Sequence, residues 1–249
     1  MEHQAKSSSF YDAGWAKWEL ITSRSPAPAM RRRKIIAILS KQKFSSLLDV
    51  GCGTGELLRD VASLAPGAGL AGADLSPAVL EANKARYPQI RFFPLDIDRE
   101  AIAEKFDVVV SSEVVEHCSD YRQAVARLAG MAARRLIITV PSGPVYPIDR
   151  MMGHTMHFTA ERIGEAMAKA GLKVVKIERW GFPFFNLYKR LINMNPERVM
   201  ESYSAPGKYG FRQIAMASLV AASFRLCLPF WGNQIFAIGE RPDIERSER

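Results

Sequence analysis

This chain of 249 residues is poor in cysteine and histidine and has no long apolar run. Its three cysteines, Cys52, Cys118 and Cys227, stand at unpaired spacings. That excludes a disulfide framework and a cysteine-based zinc pattern, and it suits a reducing, cytoplasmic compartment. No stretch reaches the roughly 20 apolar residues that a spanning helix needs. The opening residues, "MEHQAKSSSFYD", lack the apolar core of a signal peptide. Internal repeats and low-complexity tracts are absent. The net charge of +8 permits contact with nucleic acid or an anionic membrane without demanding either.

What is present is a regular alternation of short apolar runs and helical patterns. The runs at Ser46–Val50, Leu70–Ala73, Ile90–Leu95, Phe106–Ser111, Leu136–Val140, Leu172–Ile177 and Gln234–Gly239 read as strands. Between them, Gly55–Ala65 places Leu57, Val61 and Leu64 on one helical face. Ser76-Pro77 reads as a capped helix start, Asp120–Met131 as a helix, and Thr159 as the cap of a helix running to Ala170 with Gly171 as its stop. Pro28 is suited to the first turn of an earlier helix through "AMRRRKIIAIL". Short strands apolar on both faces, alternating with helices, predict a parallel sheet covered on both sides. One connection is long: Gly181 to Gly232, rich in aromatics and Met, lies between the last two strands. Inserts of this size form lids or binding walls.

The stretch "LLDVGCGTGELL", Leu47–Leu58, joins the first strand to its helix through Gly51, Gly53 and Gly55. Glycines there let a ligand approach the backbone at the carboxyl edge of the sheet. The spacing is not the G-x-G-x-x-G of a pyrophosphate cradle, and no Gly-Lys-Ser/Thr follows as in a phosphate loop. Asp49, just before the glycines, would repel a phosphate but could accept hydrogen bonds from a cationic amino group. Asp74 ends the second strand in "LAGADLSP", placed to accept both hydroxyls of a ribose, and Asp96 in "FFPLDID" could accept from an adenine amino group. Ribose, adenine and an ammonium group without phosphates describe S-adenosylmethionine.

In these segments, "DVGCGTG", "ADLS", "PLDI" and "FDVVVSSEVVEH" in order, the chain resembles the class I S-adenosylmethionine-dependent methyltransferases, strongly over Leu47–Val140 and more loosely elsewhere. The "EH" after the fourth strand is similar to that of small-molecule enzymes of the ubiquinone-biosynthesis type. The resemblance implies a Rossmann-like α/β fold with a seven-stranded, mostly parallel sheet, helices on both faces and an antiparallel last strand. It further implies that Asp49, Gly51, Gly53 and Gly55 hold the methionine part, Asp74 with Leu75 the ribose, and Asp96 with Ile97 the adenine. Ser112 and Glu113 would border the methionine pocket, and S-adenosylhomocysteine would be the product.

Methyl transfer from a sulfonium needs alignment and exclusion of water, and a base only for a protonated acceptor. His117 is the first candidate base; the alternative is that it and Glu116 only tie their loop together. His154 and His157, in "GHTMHFT", resemble family segments near the acceptor and stand behind it as candidates, with packing or capping as the other reading. A metal at this His-x-x-His is not expected, because no Cys or carboxylate stands beside it in sequence. Tyr11 and Trp15 read either as an N-terminal lid over the cofactor or as a helix docked on the core. "RRRK", Arg31–Lys34, reads as a solvated helix face, with phosphate or membrane contact as the alternative.

The insert, with "WGFPFFNLYKRL" and "FRQIAMASLVAASFRLCLPFW", predicts an apolar acceptor pocket. It would serve as a lid or lie in a membrane interface. One methyltransferase domain is therefore expected: a helical lid over 1–45, a cofactor core over 46–180, an acceptor insert over 181–232, and the last strand and tail over 233–249. The expected acceptor is a hydrophobic or aromatic small molecule, such as a natural-product, quinone or lipid intermediate. Nucleic acid is disfavoured: the position of the Asn/Asp-Pro-Pro-aromatic run of DNA amino-methylating enzymes reads "SSEVVEH", and no Pro-Cys pair occurs. A cofactor-binding protein without transfer, a cyclase or an assembly partner, is the remaining class.

Overall fold

The computed structural model describes residues 25–204 and 211–242. Within them the elements are α1 (Pro26–Leu39), β1 (Ser46–Val50), α2 (Glu56–Leu64), β2 (Gly69–Asp74), α3 (Pro77–Arg86), β3 (Arg91–Pro94), β4 (Phe106–Ser112), α4 (Tyr121–Met131) and β5 (Ala132–Pro141). They continue with α5 (Pro147–Met151), α6 (Ala160–Lys169), β6 (Lys173–Trp180), α7 (Phe184–Ile192), α8 (Pro196–Ser204), α9 (Phe211–Ser223) and β7 (Gln234–Glu240). The seven strands form one sheet in the order β3-β2-β1-β4-β5-β7-β6. The last strand in sequence, β7, slots antiparallel between β5 and β6; the β1–β2, β1–β4, β2–β3 and β4–β5 pairs are all parallel. The expected fold class is therefore found.

Alternation along each strand builds two cores. In β1, Leu47 packs with the first three helices while Leu48 packs with α4 and α6. In β5, Ile137 faces the first core and Leu136 and Ile138 the second. Such strands bury both faces, which is why they read as continuous apolar runs. The helix starts follow side-chain chemistry. The Ser76 hydroxyl accepts from Val79 N–H at 3.3 Å, Asp120 from Arg122 and Gln123 N–H, and the Thr159 hydroxyl from Arg162 N–H.

Three boundaries differ from the sequence reading. Helix α1 starts at Pro26, two residues earlier, and Pro28 lies in its first turn as expected. Strand β5 begins at Ala132, before its apolar run, because Ala132 pairs with Phe106 of β4 and Arg135 with Glu240 of β7. Strand β6 runs on to Trp180 through Lys176, Glu178 and Arg179. It is a sheet edge, where charged side chains face water and hide the strand from apolar patterning.

Ile138 is fully buried in the central part of the sheet. Truncation to Ala is expected to cost about 2–5 kcal/mol of unfolding free energy in urea titration, from lost transfer energy and a residual cavity. A change below about 1 kcal/mol would contradict the packing described.

Candidate active site

The carboxyl ends of β1, β2 and β4 open into a cavity of about 340 Å³, within the ~300–1,000 Å³ range of small-molecule sites. The loop after β1 is its floor. Ala73, at the end of β2, accepts through its carbonyl from Gly51 N–H at 2.7 Å and Cys52 N–H at 3.0 Å. Its neighbour Asp74 accepts from Gly53 N–H at 2.9 Å and Ser76 N–H at 3.0 Å, which fixes the direction of the carboxylate. Asn83 of α3 donates to the Gly53 carbonyl at 2.6 Å.

The glycines do more than admit a ligand. Gly51 has φ of +75°, and a Cβ there would lie 2.2 Å from Val114 Cγ2. At Gly55, with the same φ, it would lie 2.8 Å from the Tyr87 ring. Gly51 and Gly53 line the cavity, whereas Gly55 sits behind it at the start of α2.

Most other expected cofactor residues line the same cavity: Asp49, Asp74, Leu75, Asp96, Ile97, Ser112 and Glu113. Tyr11 and Trp15 lie outside the described residues. Asp49 is buried, and burial, reinforced by the Asp74 charge, pushes its carboxyl up to about 7. Asp96 accepts from Asp98 N–H at 3.1 Å and pairs with Arg99 at 3.3 Å. Glu113 has φ of +60°, unusual for a residue with a side chain. Its N–H donates to the Thr139 carbonyl at 3.0 Å. Its carboxylate accepts from Gln234 at 2.8 Å and Thr139 at 3.2 Å and faces Arg31 at 3.6 Å.

Arg31 corrects the reading of "RRRK" as a solvated face. It lines the cavity, Arg32 faces Glu56 and Asp60, Lys34 pairs with Glu178, and only Arg33 of the four is exposed. Helical spacing in this stretch could not show which acids the fold would bring to it.

The three candidate histidines converge. His117, in a 3₁₀ turn after β4, and His154 meet edge-to-face at 4.8 Å between ring centres, and both line the cavity. His157 stands behind them, with Nε2 at 3.3 Å from His154 Nδ1 and Nδ1 at 3.2 Å from the Gly143 carbonyl. A carbonyl can only accept, so a neutral His157 carries its proton on Nδ1 and accepts from His154. Burial is the main cause that disfavours the protonated forms of His154 and His157.

Two carboxyl groups join this cluster from elsewhere in the chain, so the ground for expecting no metal does not hold in three dimensions. Asp149 of α5 approaches His157 Nε2 at 3.4 Å, and Glu116 approaches His154 Nε2 at 4.0 Å. Ligand atoms of Glu116, His117 and His154 lie within 4.8 Å of one another, as do those of Asp149, His154 and His157. Asp149 already has a cation: Lys189 of α7 donates to both its oxygens at 3.1 and 3.2 Å. Glu116 is fully buried with neither carboxyl oxygen hydrogen-bonded to a described residue, and burial, then the Glu113 charge, shifts its pKa upward and favours the protonated form.

Lys189, Asp149 and Glu116 were not among the sequence-derived candidates. Neither were the cavity residues Ile192 of α7 and Val199 and Met200 of α8, whereas Tyr188 belongs to the aromatic segment expected to build the pocket. The insert was legible as a wall, but not which of its side chains face inward.

Strand order and the antiparallel β7 define a Rossmann-like fold, with Asp49, Asp74 and Asp96 gathered at successive strand ends. Residues 48–135 match the family model described as "Methyltransferase domain". Over 165 residues the chain is 33% identical to a ubiquinone biosynthesis O-methyltransferase of Brucella ovis, covering 63% of this chain and 57% of that one. Over 173 residues it is 25% identical to a malonyl-[acyl-carrier protein] O-methyltransferase of Halalkalibacterium halodurans, covering 66% of this chain and 63% of the other. The chain thus spans less than two thirds of these curated relatives. Among solved structures, the N-methyltransferase NodS of Bradyrhizobium japonicum, in complex with S-adenosylhomocysteine, superposes with a TM-score of 0.56 at 18% identity, covering 91% of this chain and 92% of that one. A putative methyltransferase of Haloferax volcanii in complex with its Trm112 activator gives 0.63 at 16%, with coverage of 95% and 98%. Residues 48–135 thus carry a methyltransferase domain, and the fold is that of S-adenosylmethionine-dependent methyltransferases.

Asp49 sets a pH dependence of the ligand-free protein. Its ordinary value is 3.8 and its folded value about 7, so between these the folded state holds a proton that the unfolded chain has lost. Its contribution is complete below 3.8 and is lost as pH rises towards 7. Urea titrations at stepped pH should show stability falling across that window, less so in Asp49→Asn. Parallel curves for the two proteins would refute the assignment.

Proposed function

We propose that this protein transfers the methyl group of S-adenosylmethionine to a hydrophobic or aromatic small molecule. The observation that carries this is the continuity of one cavity from the glycine loop to the insert. Its floor is acidic and hydrogen-bonding at Asp49 and Asp74, and its far wall is apolar at Tyr188, Ile192 and Met200. On this reading the cofactor core is 46–180 and the acceptor insert 181–232, with the last strand following from 233.

The floor fits the cofactor. Gly51 and Gly53 leave the loop without side chains where the cavity begins, and Asp74 is aimed by two backbone bonds. When bound, the cofactor supplies an electrophilic methyl on a sulfonium. Asp49 would accept from the amino group of its methionine part, Asp74 with Leu75 would hold the ribose, and Asp96 with Ile97 would flank the adenine. Ser112 and Glu113 would border the methionine part, with Glu113 held rigid by Gln234, Thr139 and Arg31. The insert would exclude water and align the acceptor.

The proton of a hydroxyl or amine acceptor would go to His117. A base must be able to hold the proton it takes. His154 is the weaker choice, because burial and the adjacent His117 and His157 oppose its protonation. Its role is to position His117 through their edge-to-face contact, and His157 in turn holds His154.

Asp74→Ala should weaken S-adenosylmethionine binding by roughly 1.5–3 kcal/mol in calorimetry, as expected for hydrogen bonds involving a charged group. Unchanged affinity would remove Asp74 from the site. With a panel of apolar phenols, quinols and fatty acyl compounds, S-adenosylhomocysteine release should exceed that with polar metabolites of similar size. His117→Asn should then lose roughly 100-fold or more in turnover while still binding cofactor. Cofactor binding without product across the panel would favour a non-transferring protein.

A further inference from the structure

Among the described residues twelve large hydrophobic side chains are exposed, and ten of them lie between Phe182 and Trp231. Helix α7 shows why this is unusual. Phe185, Tyr188 and Ile192 face the cavity, while Leu187 and Leu191 on the other side are 52% and 56% exposed. A helix apolar on opposite faces belongs in a fully buried setting, yet here only one face is covered by the described residues. Met194, at 79%, continues the open face beyond the end of α7. At the start of the helix the Phe182 ring stacks on Trp231 at 4.7 Å, and the Phe182 backbone bonds to Trp231 and Leu228. Phe230 beside them is 70% exposed. The patch thus runs along α7 and onto the loop preceding β7.

Charge selects its partner. The segment 181–232 contains six basic residues and two acidic, a balance of +4, half the net charge of the whole chain. Lys189 among them is buried against Asp149, whereas Arg190, Arg198 and Arg225 are exposed, as are the acids Glu197 and Glu201. A two-fold contact between copies would bring two segments of the same net positive charge together. An anionic bilayer would instead attract the arginines, while accepting leucine and methionine into its acyl boundary and ring systems such as Trp231 at the headgroup level. No helix of the described residues is long and apolar enough to cross a membrane, so the contact would be interfacial.

We propose that the outer face of the insert docks on an anionic lipid surface, with Leu187, Leu191, Met194, Phe230 and Trp231 inserted and the arginines at the headgroups. The acceptor cavity then lies directly behind the docked helix, one helix thickness from the lipid. The docking rests on the surface alone and stands apart from the methyl-transfer reading.

The test is flotation of the full chain with vesicles of phosphatidylcholine alone and with phosphatidylglycerol added, alongside S-adenosylmethionine calorimetry as a check of the folded site. Binding to the anionic vesicles, weakened by salt, is expected. Leu187→Asp/Leu191→Asp should abolish it, and Arg190→Glu/Arg225→Glu should reduce it roughly tenfold or more, both with cofactor affinity unchanged. None of these four residues lines the cavity. If the leucine variant misfolds, the arginine variant, which changes only exposed charges, still decides. The proposal is overturned by absence of anionic-vesicle binding in a protein that binds cofactor, by equal binding to both vesicle types, or by a dimer in light scattering that the leucine substitutions dissolve. Vesicle binding without cofactor binding would count against the methyl-transfer reading and leave the docking intact.

Discussion

Two adjacent groups on one strand, the carbonyl of Ala73 and the carboxylate of Asp74, hold the loop that follows the neighbouring strand. Between them they accept N–H groups from Gly51, Cys52 and Gly53. Those donors would otherwise be orphaned at the edge of a largely buried sheet, at a cost comparable to a lost hydrogen bond each. Everything on the cavity floor is set by this tie. It fixes the direction of Asp74, it brings Asp49 and Asp74 close enough to repel, and it presses Gly51 against Val114 of the next strand-end loop. The β1, β2 and β4 ends thus form one unit, and the site is a property of their register as much as of their side chains.

The part of the molecule legible in sequence is the part where local pattern and final environment agree. Strands buried on both faces announce themselves by continuous apolar runs, and Ser76, Asp120 and Thr159 mark helix starts by the bonds that they go on to make. Acids at strand ends could be placed because the carboxyl edge of a parallel sheet is a fixed location. Legibility fails where a residue's meaning comes from a distant segment. Arg31 looks like one charge in a basic run until β4 sets Glu113 opposite it. Strand β6 is written in charged residues because it is an edge.

The polar cluster around the histidines is the clearest case. His117 and Glu116 come from the turn after β4, Asp149 from α5, His154 and His157 from the loop before α6, and Lys189 from the insert. No spacing rule joins these segments. What joins them is burial: groups removed from water must find partners or change protonation state. Asp149 finds Lys189, while burial turns His154, His157 and Glu116 towards their uncharged forms.

The buried pair of Lys189 and Asp149 has a consequence for exchange of parts between relatives. An insert before the last strand looks like a replaceable module, to be traded for another acceptor wall while the core is kept. Here the module and the core share one charge pair, and removing a single partner from a buried pair costs about 3–5 kcal/mol. A graft that omits the cation would leave the Asp149 charge with only the Tyr146 N–H and His157 beside it. It would disturb the histidines even if its own acceptor pocket were well formed. Compatible donors for such chimeras can therefore be screened by one criterion: a basic residue on the first helix of the insert, or a neutral residue in place of Asp149.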